Sequence, residues 1–341
     1  MTFLQILWFI LIFVLIAGYF VLDGFDLGVG SLYLVLAKNN KERAVLRRAV
    51  GPVWDGNEVW LLTAGGALFA AFAPAYATTF SGFYLAIMLV LFGLILRAVS
   101  LEMHAHDPEY AEVWDKVFFV GSILPALLFG VAVGNVLEGI QLNTHGDYIG
   151  GFFALLNPFA LVFGLLGLAQ FMLQGVSWTA VKALPGELHD RAVVFRGWLQ
   201  RIVAVLFVLA SVLYFVLVAP IDQSTIPFVV RAVFALVVVA GLVASFLFGK
   251  KEEEGDLPSF LAVSCVCLGL VGLAATGLFP NIVVASDPAL SISVAAAASS
   301  EYSLAAMTII TCIGLPLVLM YHVVVYRTFA GKIRDEDLGE Y

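Results

Sequence analysis

Nine apolar segments, each long enough to cross a membrane, dominate this chain of 341 residues. A membrane helix needs about 20 mostly apolar residues. The hydrophobic pattern places such segments at 3–34, 53–72, 79–99, 117–137, 152–174, 199–219, 227–248, 259–280 and 304–326. Because 62% of the residues are hydrophobic and only 12% are charged, no connector can hold a soluble domain with its own core. We therefore predict an all-α polytopic membrane protein with nine transmembrane helices in a single membrane domain, 1–341.

The basic residues predict the orientation of these helices. When the chain is threaded through nine spans, every Lys and Arg except Arg231 falls on the same side of the membrane. Basic residues concentrate on the cytoplasmic side of membrane proteins. We therefore expect the N-terminus outside and the C-terminus in the cytoplasm. The first segment has neither a basic n-region nor a small-residue cleavage site, so we expect it to be retained as a span.

Asp23 and Asp26 are the only charged residues between Phe3 and Ala37. A carboxylate inside the hydrocarbon layer is expensive, and it usually marks a proton or ion pathway. Gly24 and Gly28 lie four residues apart, which allows another helix to approach closely. In the alternative interpretation, the glycines serve packing alone and the acids cap a break in the helix.

A second pair of acids, Asp55 and Glu58, lies in the stretch GPVWDGNEVWLLTAGG at 51–66. Three-residue spacing puts both side chains on the same side of a helix, with Glu58 one turn deeper. Together with Asp23 and Asp26 they are candidates for a proton path. Alternatively, Asp55 is a first-turn acid that follows Pro52 and is favoured by the helix dipole.

Several neighbours of these acids are candidates for an interface or for a counter-ion. They are Trp54, Asn57, Trp60 and Arg97. Arg97 stands at the inner end of the third segment, and two interpretations of it are open. Its long side chain either snorkels to the membrane surface or neutralises the buried acids.

Two connectors carry weaker expectations. The polar stretch 181–201 is expected to be a surface helix or loop on the cytoplasmic side. The outer loop 281–303 has little charge, so we expect it to lie against the membrane surface or a partner.

The sequence lacks the ligands of several cofactor sites. Haem in a helical bundle needs axial His, Met or Cys side chains inside the spans. Of five histidines only His322 falls within a span, so a bis-histidine haem is not available within this chain. There is no Walker motif, no nucleophile elbow, and no pattern that indicates nucleic-acid binding. Two functions fit the buried acids: a proton-coupled secondary transporter, or a subunit of a redox complex whose cofactors lie in a partner.

Several long motifs resemble subunit II of the cytochrome bd-type quinol oxidases. They are GYFVLDGFDLGVG at 18–30, GPVWDGNEVWLLTAGGALFAAFAPAYATTFSGFY at 51–84, Arg97, GVAVGN at 130–135, LLNPFALVFGL at 155–165, GLFPNIV at 277–283 and FAGKIRDED at 329–337. The resemblance covers essentially the whole chain.

This resemblance implies two four-helix bundles, at 1–137 and 152–280, and a peripheral ninth helix at 304–326. It implies a chain that ligates no haem and pairs with a larger subunit I, which carries two b-type haems, haem d and the quinol site. The complex would oxidise quinol and reduce oxygen to water in a bacterial or archaeal cell membrane, with protons taken from the cytoplasm.

The resemblance also assigns site residues. The acid of the WDGN motif, here Asp55, is expected to belong to a proton path toward the haems. Asp23, Asp26 and Glu58 match neighbouring motif positions. A structural quinone and a small single-helix accessory subunit are further components that the resemblance suggests, besides membrane lipids and quinone.

Overall fold

A computed structural model describes residues 1–251 and 253–340, most of which are helical. The helices in this described part are α1 (Phe3–Leu36), α2 (Asn40–Val50), α3 (Trp54–Ala71), α4 (Ala73–Gly82), α5 (Tyr84–His106), α6 (Ala111–Glu138), α7 (Pro158–Lys182), α8 (Glu187–Leu213), α9 (Phe228–Phe248), α10 (Asp256–Leu278), α11 (Val294–Ala297) and α12 (Glu301–Thr328). Two short antiparallel strands, β1 (Asn281–Val283) and β2 (Ile292–Ser293), lie between α10 and α11.

Eight helices in the described ranges are long and apolar enough to cross a membrane. They are α1, α5, α6, α7, α8, α9, α10 and α12. The second predicted span, 53–72, coincides with α3, whose first turns carry Asp55, Asn57 and Glu58 and are therefore less apolar. The all-helical membrane fold is thus confirmed, and the ninth span stays a prediction.

Helix α1 runs without interruption through Asp23 and Asp26 for 34 residues, which is about 51 Å against a hydrocarbon layer of about 30 Å. The expectation that these acids cap a break is therefore wrong. The close approach predicted from the glycines is confirmed. A Cβ on Gly28 would lie 1.8 Å from the carbonyl oxygen of Phe171 in α7, and one on Gly175 would lie 2.3 Å from the backbone of Gly28.

The chain turns between α3 and α5. The third span was predicted to begin at residue 79, but this region forms the separate short helix α4. The backbone leaves helical geometry at Phe72, and Pro74 stands in the first turn of the short helix α4. Because proline cannot donate the hydrogen bond that continues a helix, a new segment starts there. The third span then begins only at Tyr84 and continues to His106, so that His104 lies on the helix.

The connector at 181–201 is mostly the first part of α8, which begins at Glu187. Leu188 and Ala192 are buried, and the Arg196 guanidinium donates a hydrogen bond to Asp256 of α10 at 3.0 Å. The buried apolar side chains and the ion pair with Asp256 hold this stretch in helical form. The helix of the sixth span therefore starts earlier in the chain than predicted, at Glu187.

The loop at 281–303 packs partly on this chain itself, and its contact with the membrane surface or a partner stays a prediction. Val283 and Ala285 are buried. The amide of Ser299 donates to the carbonyl of Ala71 at 2.8 Å, and the amide of Ile140 donates to Val284 at 3.0 Å. These bonds satisfy the polar backbone of the loop and cover the C-terminal ends of α3 and α6.

Helix α1 packs against α3, α6, α7 and α10, while α6 packs against both α5 and α7. The two bundles expected at 1–137 and 152–280 therefore contact each other through α1, α6, α7 and α10, and their arrangement as bundles stays a prediction. Helix α12 is peripheral, because only 6% of its apolar window is buried. The Trp8 indole holds the N-terminal end of α12 by donating to the Leu304 carbonyl at 3.1 Å.

Arg231, the single basic residue on the predicted outer side, has local partners. Its guanidinium donates to the Asp222 carboxylate and, at 3.2 Å, to the Tyr214 hydroxyl. Arg231 is therefore held by an ion pair within this chain.

Candidate functional site

Three helices bring Asp23, Glu58 and Arg97 together inside the protein. The Arg97 Nη2 lies 2.8 Å from Asp23 Oδ1 and 2.6 Å from Glu58 Oε1. The side chains of Arg97 and Asp23 are 0% exposed, and that of Glu58 is 23% exposed. Arg97 therefore acts as the cation of a buried ion-paired group, and it does not reach the membrane surface.

A hydrogen-bonded chain lies beside this group. The amide nitrogen of Asn57 donates to Asp26 Oδ2 at 2.7 Å and to the Leu22 carbonyl at 3.1 Å. The hydroxyl of Tyr326, on α12, donates to Asn57 Oδ1 at 3.1 Å. We call Asp23, Asp26, Asn57, Glu58 and Arg97 the polar cluster.

The helix geometry explains why these residues meet. Asp23 and Asp26 are one turn apart on α1 and point toward α3 and α5, while Gly24 and Gly28 point toward α7. A Cβ on Gly24 would lie 2.8 Å from the ring of Phe171. The glycines thus let α1 pack closely on α7 while the acids face the other neighbours.

Asp55 lies outside the polar cluster. It is an exposed residue in the first turn of α3, and within the described ranges its carboxylate takes part in no hydrogen bond or ion pair. Glu58, three residues deeper, turns inward to Arg97. The structure therefore does not join the two acids of this motif, and Asp55 stands at the protein surface about one turn from Glu58.

Trp60 connects α3 with α1 and α12. Its ring covers Gly18, where a Cβ would meet the ring at 2.2 Å. Its indole nitrogen donates to His322 Nε2 at 3.2 Å, and His322 Nδ1 donates to the Val318 carbonyl at 2.9 Å. Both ring nitrogens of His322 are therefore engaged in hydrogen bonds with other described residues. Trp54 is half-buried at the start of α3.

Several buried polar atoms of this region have no hydrogen-bond partner among the described residues. They are the Tyr19 hydroxyl, both oxygens of Asp23, Asp26 Oδ1, and Arg97 Nε and Nη1. Asp23 is close enough to Arg97 for an ion pair, but the angles fall outside hydrogen-bond geometry. Buried groups of this kind are costly unless they have a role or bind solvent.

A second polar group lies two turns from Arg97 along α5. The Tyr33 hydroxyl donates to Asp115 Oδ1 at 2.8 Å, and Arg43 donates to Asp115 Oδ2 at 2.8 Å. His104 Nε2 lies 3.2 Å from Asp115 Oδ1. This group, at the end of α1 that carries the basic connector, was missed in the sequence because its members lie far apart along the chain.

Glu42 anchors the short helix α2 outside the predicted spans. Arg191 of α8 donates two hydrogen bonds to its carboxylate, at 2.9 and 3.0 Å, and the Lys38 amide donates a third at 2.6 Å. These donors hold the pKa of the Glu42 carboxyl below its usual value, with Arg191 as the largest cause. The pair fixes the basic connector between α1 and α3 against α8.

No group of three or more His, Cys, Asp or Glu side chains that could hold a metal ion occurs in the described ranges. The arrangement can instead hold, exchange and relay protons, because it combines carboxyl groups with a cation and neutral hydrogen-bond partners.

Comparison with known proteins identifies the family. Residues 4–329 match the family described as cytochrome bd terminal oxidase subunit II. The chain belongs to the cytochrome bd oxidase subunit II family. The resemblance seen in the motifs is thus confirmed, and family membership favours a redox subunit over a proton-coupled transporter.

Relatives in several bacteria are similar over nearly their whole length. The chain is 36% identical to the probable cytochrome oxidase subunit 2 of Haemophilus influenzae, covering 97% of this chain and 95% of that one. It is 34% identical to the cytochrome bd-I ubiquinol oxidase subunit 2 of Escherichia coli strain K12, over 98% and 96% of the two chains. It is 33% identical to the cytochrome bd ubiquinol oxidase subunit 2 of Bacillus subtilis, over 99% of each.

A solved structure shares the fold. A chain of the bd oxidase from Geobacillus thermodenitrificans superposes with a TM-score of 0.73 at 13% identity, covering 96% of this chain and 99% of that one. The chain is thus a cytochrome bd oxidase subunit II, which is a subunit of a respiratory oxidoreductase. With its eight apolar helices in the described ranges, it is a multi-pass protein of the bacterial cytoplasmic membrane.

Proposed function

We propose that this chain is the subunit of a membrane quinol:oxygen oxidoreductase that ligates no haem and supplies a proton path. In this proposal a haem-bearing subunit I carries haems b and d, oxidises quinol and reduces oxygen to water. The observation that carries the proposal is the buried polar cluster in a member of this family. Oxygen reduction consumes protons, and the cluster offers carboxyl groups inside the membrane region.

The path begins at Asp55, which is exposed at the start of α3. One turn deeper, about 4.5 Å along the helix, Glu58 is partly buried and meets Arg97, and Asp23 lies on the other side of the same guanidinium nitrogen. Asp55 collects a proton at the surface and passes it inward. Arg97 keeps the neighbouring carboxylates charged and fixed, and Asp26 receives protons at the inner end of the path.

The exposed side of α3 is proposed as the docking surface for subunit I. Val59, Leu62 and Phe69 are 43%, 72% and 59% exposed there. A Cβ on Gly66 would meet nothing within 4 Å, so small residues lie open between apolar ones. Such a surface lets a second helix approach closely, and Asp55 and the exposed edge of Glu58 would then face the partner.

The same proposal includes the finer architecture. The N-terminus lies outside and the C-terminus in the cytoplasm, α3 is the ninth spanning helix, and the spans form bundles at 1–137 and 152–280 beside the peripheral helix. The clustering of every Lys and Arg except Arg231 on one side supports the orientation. A structural quinone and a single-helix accessory subunit stay expectations of the family, with no described residue assigned to them.

Asp55→Asn in the complete oxidase tests the proton role. We expect quinol-driven oxygen uptake to fall about 100-fold or more, since a positioned proton-transfer group typically contributes about 100-fold to 10,000-fold, while haem content and assembly stay normal. Glu109→Gln, at an exposed acid in the connector before α6, is the matched control and leaves uptake unchanged. Normal uptake in a haem-replete Asp55→Asn oxidase would refute the role, and loss of haem would show that Asp55 is structural.

A further inference from the structure

The carboxyl group of Asp26 differs from the other acids of the polar cluster because it has no cation. Asp26 is 1% exposed. No Lys, Arg or His nitrogen of the described residues lies within 4 Å of its oxygens, whereas Arg97 contacts both Asp23 and Glu58. The single positive charge of the cluster is thus already shared by two other carboxylates.

An ionised carboxylate is very expensive in a buried site without a cation, and such groups take up a proton instead. The titratable groups that face Asp26 are Asp23 on α1, Glu58 on α3, Arg97 on α5 and Tyr326 on α12. An ionised Asp26 would add a third negative charge to a group that has one positive charge. Charge balance therefore favours the neutral acid.

The hydrogen bonds of Asn57 show which oxygen of Asp26 is left free. The Leu22 carbonyl can only accept a hydrogen bond, so the side-chain nitrogen of Asn57 must face it. The Tyr326 hydroxyl then donates to Asn57 Oδ1. The amide nitrogen must then face Asp26 Oδ2, which acts as an acceptor at 2.7 Å. Asp26 Oδ1 receives no hydrogen bond from any described residue, so this oxygen is the one that can carry a proton.

We propose that Asp26 is protonated on Oδ1 in the resting oxidase, while Asp23 and Glu58 stay ionised around Arg97. This inference rests on the proposed proton path and names Asp26 as its storage residue. When the stored proton is consumed by the reduction of oxygen to water in the partner subunit, the O–H bond of Asp26 breaks and a carboxylate is left. That carboxylate then recovers a proton from the cytoplasmic side through the surface acid Asp55.

Infrared spectroscopy tests the protonation state directly. The purified oxidase with its partner subunit is measured in its resting state, in H2O and in D2O, and the Asp26→Asn spectrum is subtracted from that of the unaltered protein. We expect the difference to contain one carboxylic-acid C=O band that shifts in D2O. The matched variant Asp23→Asn should remove a carboxylate signal and leave the acid band in place.

A missing acid band in the Asp26 difference spectrum would overturn the inference, as would loss of the acid band in Asp23→Asn. Asp26→Glu keeps an acid at this position, so its C=O band should persist at a changed frequency, and an unchanged frequency would also overturn it. These outcomes are separate from the proposed function, which is judged by the oxygen uptake of Asp55→Asn. An acid band at Asp26 with normal uptake in Asp55→Asn would refute the path and leave the protonation state standing.

Discussion

The polar cluster and the buried ion pair between α8 and α10 use similar residues with different results. In the second group, which we call the α8–α10 site, Asp256 Oδ1 accepts from Arg196 at 3.0 Å and Asp256 Oδ2 lies 2.7 Å from His189 Nε2. Both carboxylate oxygens therefore have charged or polar partners. In the polar cluster, Asp23, Asp26 and Arg97 all keep atoms without hydrogen bonds.

This difference separates a structural site from a functional one. A buried ion pair with every atom satisfied is costly to break and gains nothing from changing its protonation. A cluster with unsatisfied atoms is less stable than it could be, but its protons can move. We therefore propose that the α8–α10 site holds the helices together and that the polar cluster, on the proposed proton path, transfers protons.

The largest effect is expected for Arg97→Gln, which removes the only cation of the polar cluster. Asp23 would be left buried without a cation, at a cost of about 3 to 5 kcal/mol, and Glu58 would lose its inward partner. We expect little assembled oxidase and no measurable oxygen uptake. Haem content of membranes and uptake per haem are the measurements, and normal values of both would show that the cation is dispensable.

Asp256→Asn should separate the two sites. Arg196 would lose its carboxylate while buried, so we expect the oxidase to lose about 3 kcal/mol of stability and to unfold at a lower temperature in detergent. Oxygen uptake per assembled haem should stay unchanged, because this site takes no part in proton transfer. A tenfold fall in uptake per haem, with assembly intact, would abolish the distinction drawn between the two sites.

The smallest effect concerns the pair of Glu42 and Arg191, which lies outside the predicted spans. Because the folded-state pKa of Glu42 is lowered, the pair stabilises the protein above the unfolded-state pKa, near 4.3. The stabilisation is lost as the pH falls through the lower folded-state value. We expect Glu42→Gln to lower stability by about 1 kcal/mol at pH 7.

The measurement for this last prediction is thermal unfolding of both proteins at several pH values. The difference between Glu42→Gln and the unaltered protein should shrink once the pH falls below about 4. A difference that stays constant with pH would show that the Glu42 carboxylate contributes through packing alone.

The spans were predictable from the sequence because burial in lipid demands long apolar runs, and that demand does not depend on tertiary contacts. The ends of the helices were not. Polar residues continue α5 to His106 and begin α8 at Glu187, since ion pairs and buried leucine support helix beyond the hydrocarbon layer. Hydropathy measures the transfer of residues into lipid. It does not report the ion pairs and buried apolar contacts that extend a helix beyond the hydrocarbon layer.

The polar cluster was partly predictable. The cost of burying charge singled out Asp23, Asp26, Glu58 and Arg97, but cost alone does not reveal which partner neutralises which acid. Tyr326 was missed because nothing in the sequence shows that the last helix packs beside α3. The expectation that Asp55 shares the surroundings of Glu58 came from spacing on one helix, whereas the direction of each side chain is decided by the neighbouring helices.

The glycine contact between α1 and α7 makes the position of α1 unusually exacting. With Gly28 against the Phe171 carbonyl and Gly175 against the Gly28 backbone, even a methyl group there must push the two helices apart. Asp23 and Asp26 lie on the same helix, α1. Displacing this helix would therefore lengthen the contact of Asp23 with Arg97 and that of Asp26 with Asn57. A substitution that touches no polar atom would thus disable proton delivery. The glycine contact between α1 and α7 sets the distances between the acids of α1 and their hydrogen-bond and ion-pair partners.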